Sequence, residues 1–235
     1  MKKVIVAISF AAIAASANNS YAQTSPVDKV GVAVGVDLIS GPTLELSYPI
    51  TDYVSVRGSL STGWSMDEEI SDTDITYNVE TDGAINRLAL DIRPFQGAFF
   101  LSAGYGLSNF KVKPSAEYAS GDSFTVDGNE YTVTSNTAVL NGNLDWDSAP
   151  TLSFGWGNSS SKGLGFLFEA GVAFTDAPTV SLNGFGTVED STGLVTYDLA
   201  QDDNNIISDE EANLQAEADE YDLLPIIRMA ATYRF

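Results

Sequence analysis

The last nine residues, Ile227 to Phe235, alternate without a break. Ile227, Met229, Ala231, Tyr233 and Phe235 fall on one side of an extended chain, and Arg228, Ala230, Thr232 and Arg234 on the other. Successive side chains of a strand point to opposite faces. The segment therefore reads as a strand with one apolar, aromatic face and one face that is small, polar or cationic. Chain ends tend to fray, yet here the pattern holds to the final residue.

The same period of two recurs along the chain. Val30, Val32, Val34, Val36 and Leu38 oppose Gly31, Ala33, Gly35 and Asp37; Leu44, Leu46 and Tyr48 oppose Thr43, Glu45 and Ser47. Val54, Val56, Leu60, Trp64 and Met66 oppose Ser55, Arg57, Ser59 and Ser61. Leu88, Leu90 and Ile92 oppose Arg87, Ala89, Asp91 and Arg93; Phe99, Leu101, Ala103 and Tyr105 oppose Ser102, Gly104 and Gly106. Leu152, Phe154 and Trp156, then Leu164, Phe166 and Phe168, complete the set, opposite Ser153 and Gly155 and opposite Gly165, Leu167 and Glu169. With the terminal segment this predicts eight strands in one domain spanning 23–235.

Connections after the second, fourth and sixth strands are short, with turn residues such as Pro94-Phe95-Gln96-Gly97. The connection after the first is also short. Asp67–Asp74 reads as an acidic loop of moderate length. Glu117–Asp147 and Thr187–Asp222 read as long loops, the former holding a hairpin turn at Asp127-Gly128. Ser208 followed by Glu211 has the capping-box spacing of a short acidic helix ending near Tyr221.

The direction of the apolar face separates a soluble sandwich from a membrane barrel. A sandwich turns its apolar faces inward. Here the small-residue face carries all five arginines, Arg57, Arg87, Arg93, Arg228 and Arg234, together with Asp37, Glu45, Asp91 and Glu169. That face is close to neutral in a chain of formal charge −21. An eight-stranded cylinder has an interior just wide enough to be filled by side chains. The pattern predicts apolar residues facing lipid and a lumen charge network of Asp37, Glu45, Arg57, Arg87, Asp91, Arg93, Glu169 and Arg228. Within it Glu45, Arg57, Asp91, Glu169 and Arg228 lie at similar heights.

The beginning of the chain agrees with export. Lys2 and Lys3 precede an apolar stretch from Val4 to Ala15, and Ser20-Tyr21-Ala22 has the form of a cleavage site, so 1–22 reads as a signal peptide. Its removal takes two lysines and moves the charge from −21 to −23. So acidic a chain is a poor ligand for nucleic acid, whose phosphates need Lys and Arg. Cysteine and histidine are absent. Serine triads, Cys–His pairs and His-ligated zinc are thereby excluded.

The terminal Tyr233-Arg234-Phe235, the signal segment and the Arg93-Pro94-Phe95 turn resemble those of the small eight-stranded outer-membrane β-barrels of Gram-negative bacteria, the broad OmpA-, OmpX- and OmpW-like group with the opacity-type surface proteins. The resemblance implies an all-β, antiparallel, up-and-down transmembrane barrel in the cell outer membrane. It implies contact with outer-membrane lipid and lipopolysaccharide, and insertion by the barrel assembly machinery, for which Tyr233 and Phe235 form the assembly signal. It implies no single activity.

The reading that follows is a monomeric, non-enzymatic barrel with a structural or surface-interaction role, without cofactor or metal. A narrow channel for small solutes is the alternative. Four sharper possibilities stand beside it. Glu45 with Asp91 or Glu169 forms a candidate carboxylate pair, against a structural salt-bridge reading. Asp202-Asp203 with Asp209-Glu210-Glu211 supplies oxygen ligands for calcium, against a solvated acidic loop. Tyr131 and Trp146 are candidate binding aromatics in a long loop, and the acidic helix is a candidate lid over the mouth, against riding free in solvent.

Overall fold

A computed structural model describes residues 30–64, 66–72, 75–157 and 162–235, of which 66–72 and 75–77 are described as backbone alone. The signal segment expected at 1–22 lies outside the described residues. β1 (Gly31–Asp37), β2 (Gly41–Pro49) and β3 (Val54–Ser61) are followed by a hairpin of β4 (Met66–Asp72) and β5 (Ile75–Asp82). β6 (Ile85–Ile92), β7 (Phe99–Ser108) and β8 (Lys111–Ala119) come next, then a second hairpin, β9 (Ser123–Val126) with β10 (Asn129–Val133). β11 (Thr137–Asp145), β12 (Ala149–Gly157) and β13 (Gly163–Ala173) precede β14 (Thr179–Phe185), β15 (Thr187–Asp190) and β16 (Thr196–Asp198). Helix α1 (Ile206–Ala218) and β17 (Leu224–Arg234) complete the chain.

Eight strands close a barrel in the order β1-β17-β13-β12-β7-β6-β3-β2, with every neighbouring pair antiparallel. The last strand shuts the ring against the first, with Gly31 opposite Arg234 and Asp37 opposite Arg228. Along β17 burial alternates at every residue. All five arginines turn inward, and four of them are less than a tenth exposed. Val34, Leu90, Leu152, Phe154 and Met229 turn outward and are exposed; Leu164 and Phe166 are 87% and 82% exposed. A soluble monomer rarely shows a contiguous apolar patch beyond a few hundred Å². A belt of this kind around a closed cylinder is suited to hydrocarbon, and closure leaves no strand edge unpaired in it.

The strands do not all end at the barrel rim. β3 runs on into β4, β7 into β8 and β13 into β14, while β5 and β11 descend into β6 and β12. Above the rim these continuations pair as β14-β11-β8-β5-β4. That repeats the order β13-β12-β7-β6-β3 of the wall below, so barrel neighbours stay neighbours. The bend between wall and upper sheet falls on Gly63 and Gly83, with Gly41 of the β1–β2 turn set against it; their φ angles are 80°, 78° and 71°. A Cβ on Gly41 would lie 2.5 Å from the Gly63 carbonyl oxygen; on Gly63 it would strike the Gly83 carbonyl, and on Gly83 that of Asn109. Only glycine combines this conformation with this approach.

A smaller sheet, β16-β15-β10-β9, packs over the upper one. Tyr118, Val126, Tyr131, Val133, Ala138, Leu182, Val188, Leu199, Ile206 and Ile207 form the core between them. Of the segments expected as loops, the described part of Asp67–Asp74 and most of Glu117–Asp147 are thus strands, while Thr187–Asp222 holds two short strands, β15 and β16, and the expected helix. Their period is present in the sequence: Val112, Pro114, Ala116 and Tyr118 alternate with Lys111, Lys113, Ser115 and Glu117. Pro114 and the flanking charges hide it. A proline donates no ladder hydrogen bond.

Helix α1 starts earlier than the capping-box reading places it. The Asp202 carboxylate accepts from the Ile207 and Ser208 amides at 2.7 and 3.2 Å and from the Ser208 hydroxyl. Ser208 therefore sits inside the first turn. Glu211, free of any capping role, accepts at 2.7 Å from the Leu182 amide of β14. Gln215, one turn on, accepts from the Val180 amide at 2.9 Å and donates to the Pro178 carbonyl at 3.0 Å. Residues four apart on a helix advance about 6 Å and residues two apart on a strand about 6.6 Å, so the two side chains match the donors of an open edge. The helix is neither a lid over the mouth nor free in solvent; it covers the edge of β14.

Candidate functional site in the barrel lumen

The lumen is packed in layers. At its centre Arg57, from β3, reaches the wall opposite. Its Nη1 lies 2.6 Å from Glu169 Oε2 and its Nη2 3.0 Å from Glu169 Oε1. The same guanidinium donates to Asp91 at 2.9 Å and Ser102 at 3.1 Å, and lies 3.4 Å from Glu45. Arg228 meets Glu45 at 2.5 Å and lies 3.8 Å from Glu169. The structure brings the five residues expected at one height into one cluster, because cross-strand registers such as Glu169 opposite Arg228 align them.

Arg87 joins from β6, 3.2 Å from Glu169 and 3.6 Å from Asp37. Asp37 also accepts from the Ile39 and Ser40 amides at 3.1 and 2.9 Å, which closes the turn after β1. Arg93 does not join the network. Two residues nearer the short-turn end than Asp91, it donates to the carbonyls of Gly97, Ala98 and Gly157 at 3.0–3.2 Å. It ties down the floor instead. Tyr233 and Phe235 lie outside the lumen, half-exposed, with ring centroids 5.0 Å apart.

Several lumen residues carry no sequence signal of their own. Phe100 is wholly buried, with the guanidinium of Arg57 over its ring at 5.1 Å and that of Arg93 at 5.3 Å. Ser153 donates to Glu169 at 2.6 Å. Gly155 makes room for this layer, since a Cβ there would sit 2.5 Å from the Phe100 ring. Above the charges, Ile85, Ala173, Leu224 and Ile226 cluster with Ile39, Phe110 and Trp146 at the mouth. A void of about 10 Å³ beside Arg57, Arg87 and Arg228 has room for a single water.

Chemically the cluster holds its carboxylates rather than freeing them. Each carboxylate is within reach of a guanidinium, and Arg supplies several donors in a fixed fork. The acidic segment near α1 works in the same structural way: Asp202 caps the helix and Asp203 accepts from the Asp198 amide at 2.9 Å. Among the described residues no group of three or more metal-ligating side chains is assembled. Tyr131 is core, 5% exposed. Trp146 packs on Phe110 at 5.4 Å and donates to the Tyr221 carbonyl at 3.4 Å. Tyr131 thus serves the core and Trp146 the packing at the mouth.

A closed eight-stranded antiparallel barrel, apolar outside and charged within, defines the class as a barrel of the outer-membrane type. No known family model and no curated protein matches the sequence. Solved structures resemble the fold, among them two from Acinetobacter baumannii. Acinetobacter baumannii CarO2 superposes with a TM-score of 0.61 at 23% identity, over 88% of this chain and 98% of that one. A. baumannii CarO gives 0.59 at 22% identity, over 92% and 100%. At these identities the likeness is one of fold.

Proposed function

We propose that this chain is an integral outer-membrane protein whose barrel anchors and does not conduct, with its role carried by the acidic β-domain above the rim. The single observation behind this reading is the reach of Arg57 across the lumen to Glu169, which leaves the centre filled at 1–3% side-chain exposure. The floor held by Arg93 and the apolar cluster at the mouth support the same reading. The role is structural or one of surface interaction, without enzymatic chemistry. The absence of His and Cys and the pairing of Glu45, Asp91 and Glu169 support that part. By analogy with barrels whose long connections face outward, the upper sheets belong outside the cell. Lipid and lipopolysaccharide surround the belt, and the barrel assembly machinery reads the strand ending at Phe235.

The charge distribution supports a surface role. Residues 62–84, 109–148 and 174–223 hold 26 of the 32 acids of the chain and only two of its cations, Lys111 and Lys113. Both lysines are engaged, Lys111 with Asp145 at 2.7 Å and Lys113 with Asp82 at 3.1 Å. Planar-bilayer recording on the purified barrel tests the reading. A closed lumen gives no steady conductance above the bare bilayer. Regular, long-lived openings would favour the narrow channel instead.

A further inference from the structure

The upper sheet shows one face that its own partners cover only in part. Near the top that face carries Tyr118 and Ala138, which the β9–β10 hairpin and the start of α1 bury. Nearer the rim the same face continues through Leu140, which still touches that core, to Val79, Pro114 and Leu144, all four lining open space. A cavity of about 370 Å³ lies between this stretch and the second half of α1. Its volume falls within the range of small-molecule sites, roughly 300–1,000 Å³, and its predominantly apolar lining is also typical of them.

The helix supplies the far wall. Glu210, Leu214 and Glu217 line the cavity at spacings of four and three, which puts them on one face of the helix, and Tyr221 lines it just past the helix end. The neighbouring face, with Glu211 and Gln215, is the one pinned to β14. Pinning holds the helix at the sheet edge and keeps the space beside it from closing. Glu210 and Glu217 are the only charged side chains in the lining. Neither makes an ion pair or hydrogen bond with another described residue, unlike Glu211 beside them. The sheet opposite offers no cation, since Lys111 and Lys113 project from its other face to Asp145 and Asp82.

An apolar cavity with two unpaired carboxylates at its edge, in a domain of almost uniform negative charge, is complementary to one kind of small ligand. We infer that the space under α1 binds organic cations: a compact apolar body seats on Val79, Pro114, Leu140 and Leu144, and an ammonium or guanidinium group meets Glu210 and Glu217. An anionic amphiphile of the same shape is rejected, because its charge would be left beside two carboxylates. The inference concerns the upper domain alone and holds whether or not the lumen conducts.

The test uses the full-length mature protein in phosphatidylcholine nanodiscs, with empty nanodiscs as background. The probes share one fluorophore and differ in charge: dansylcadaverine is cationic and dansylglycine anionic. The cationic probe is expected to bind saturably above background with a blue-shifted emission, and the anionic probe is expected not to. Glu210→Gln with Glu217→Gln is expected to weaken the cation about tenfold or more, the effect of losing one charge-assisted contact. A gel of unheated against boiled protein checks that this variant still folds. Equal binding of the two probes, or unchanged affinity in the double variant, overturns the proposal and leaves only apolar partitioning. Absence of saturable binding by the cation overturns it as well.

Discussion

Arg57 and Glu169 stand on opposite walls of the barrel and meet at its axis through two hydrogen bonds, of 2.6 and 3.0 Å. In the cyclic order of strands, β3 and β13 are four places apart in a ring of eight. The pair thus works as a crossbar. Each end also serves others, Arg57 meeting Asp91 and Glu169 meeting Arg87, so losing one end upsets the charge balance of a cluster that has given up its water.

Removing both ends of the crossbar is therefore expected to cost less than the two single losses added together. Glu169→Ala leaves Arg57 and Arg87 short of their shared acceptor and should destabilise the barrel by about 3–5 kcal/mol. Arg57→Met with Glu169→Leu should cost less than the sum of the two single losses, because removing one charge of each sign keeps the net charge of the lumen. Urea unfolding midpoints in detergent, followed by the mobility difference between unheated and boiled samples, give the comparison. Strictly additive losses would mean that the two residues act independently.

At the rim, Gly63 carries φ of 80° with the Gly83 carbonyl against the place of its missing side chain. Gly63→Val should cost roughly 1–3 kcal/mol from backbone strain alone, and more from the clash. The loss should appear first as faster amide exchange in β4, β5 and β8, with the barrel strands protected. Uniform loosening of the whole molecule would contradict the view that this glycine serves the bend.

The edge of β14 is covered by two side chains. Glu211→Ala with Gln215→Ala uncovers the amides of Leu182 and Val180; Leu182 should then exchange at least about tenfold faster, given that a hydrogen bond to a charged acceptor contributes about 1.5–3 kcal/mol, and Val180, whose acceptor is neutral, by a smaller factor. An unpaired edge also invites other chains. Concentration-dependent association of the double variant is the second expected sign, read by light scattering.

Asp202 sets a pH limit on the helix. Partial burial pushes its carboxyl up, but hydrogen bonds from Ser208 and Ile207 push it down and prevail, so it is held below the usual carboxylate range. A carboxyl lowered on folding stabilises the fold above its unfolded value of about 3.9, and that contribution is lost as pH falls through the folded value. Protection of the α1 amides should be flat from neutrality to about pH 5 and fall below about pH 4, and Asp202→Asn should remove most of this dependence. A wild-type profile without this fall would contradict the capping role.

The barrel was legible because one side of each strand meets lipid and the other a crowded interior, which leaves a clean period of two. Val34 against Asp37 or Leu90 against Asp91 already states the direction of each face. The upper sheets were less legible because their strands, such as Lys111–Ala119, face water on one side and a cavity or a small core on the other. Alternation survives there, but Pro114 and the lysines mask it. Phe100 shows a second limit: an aromatic among small inward residues has meaning only once Arg57 and Arg93 lie against its ring. Ser208 and Glu211 show a third. Their spacing imitates a cap, whereas the residues that decide their roles, Asp202 and Leu182, lie outside the motif.

The orientation of the faces is open to direct measurement, since the chain has no cysteine of its own. Single cysteines at Leu44, Leu90, Leu152 and Met229 can be spin-labelled in lipid bilayers and compared with labels at Ser59 and Ser102. The outward set should relax strongly with dissolved oxygen and weakly with a water-soluble nickel chelate, and the inward set should be immobilised and reached by neither. Strong nickel relaxation at Leu90 and Leu152 would contradict an apolar belt in hydrocarbon and, with it, the whole arrangement.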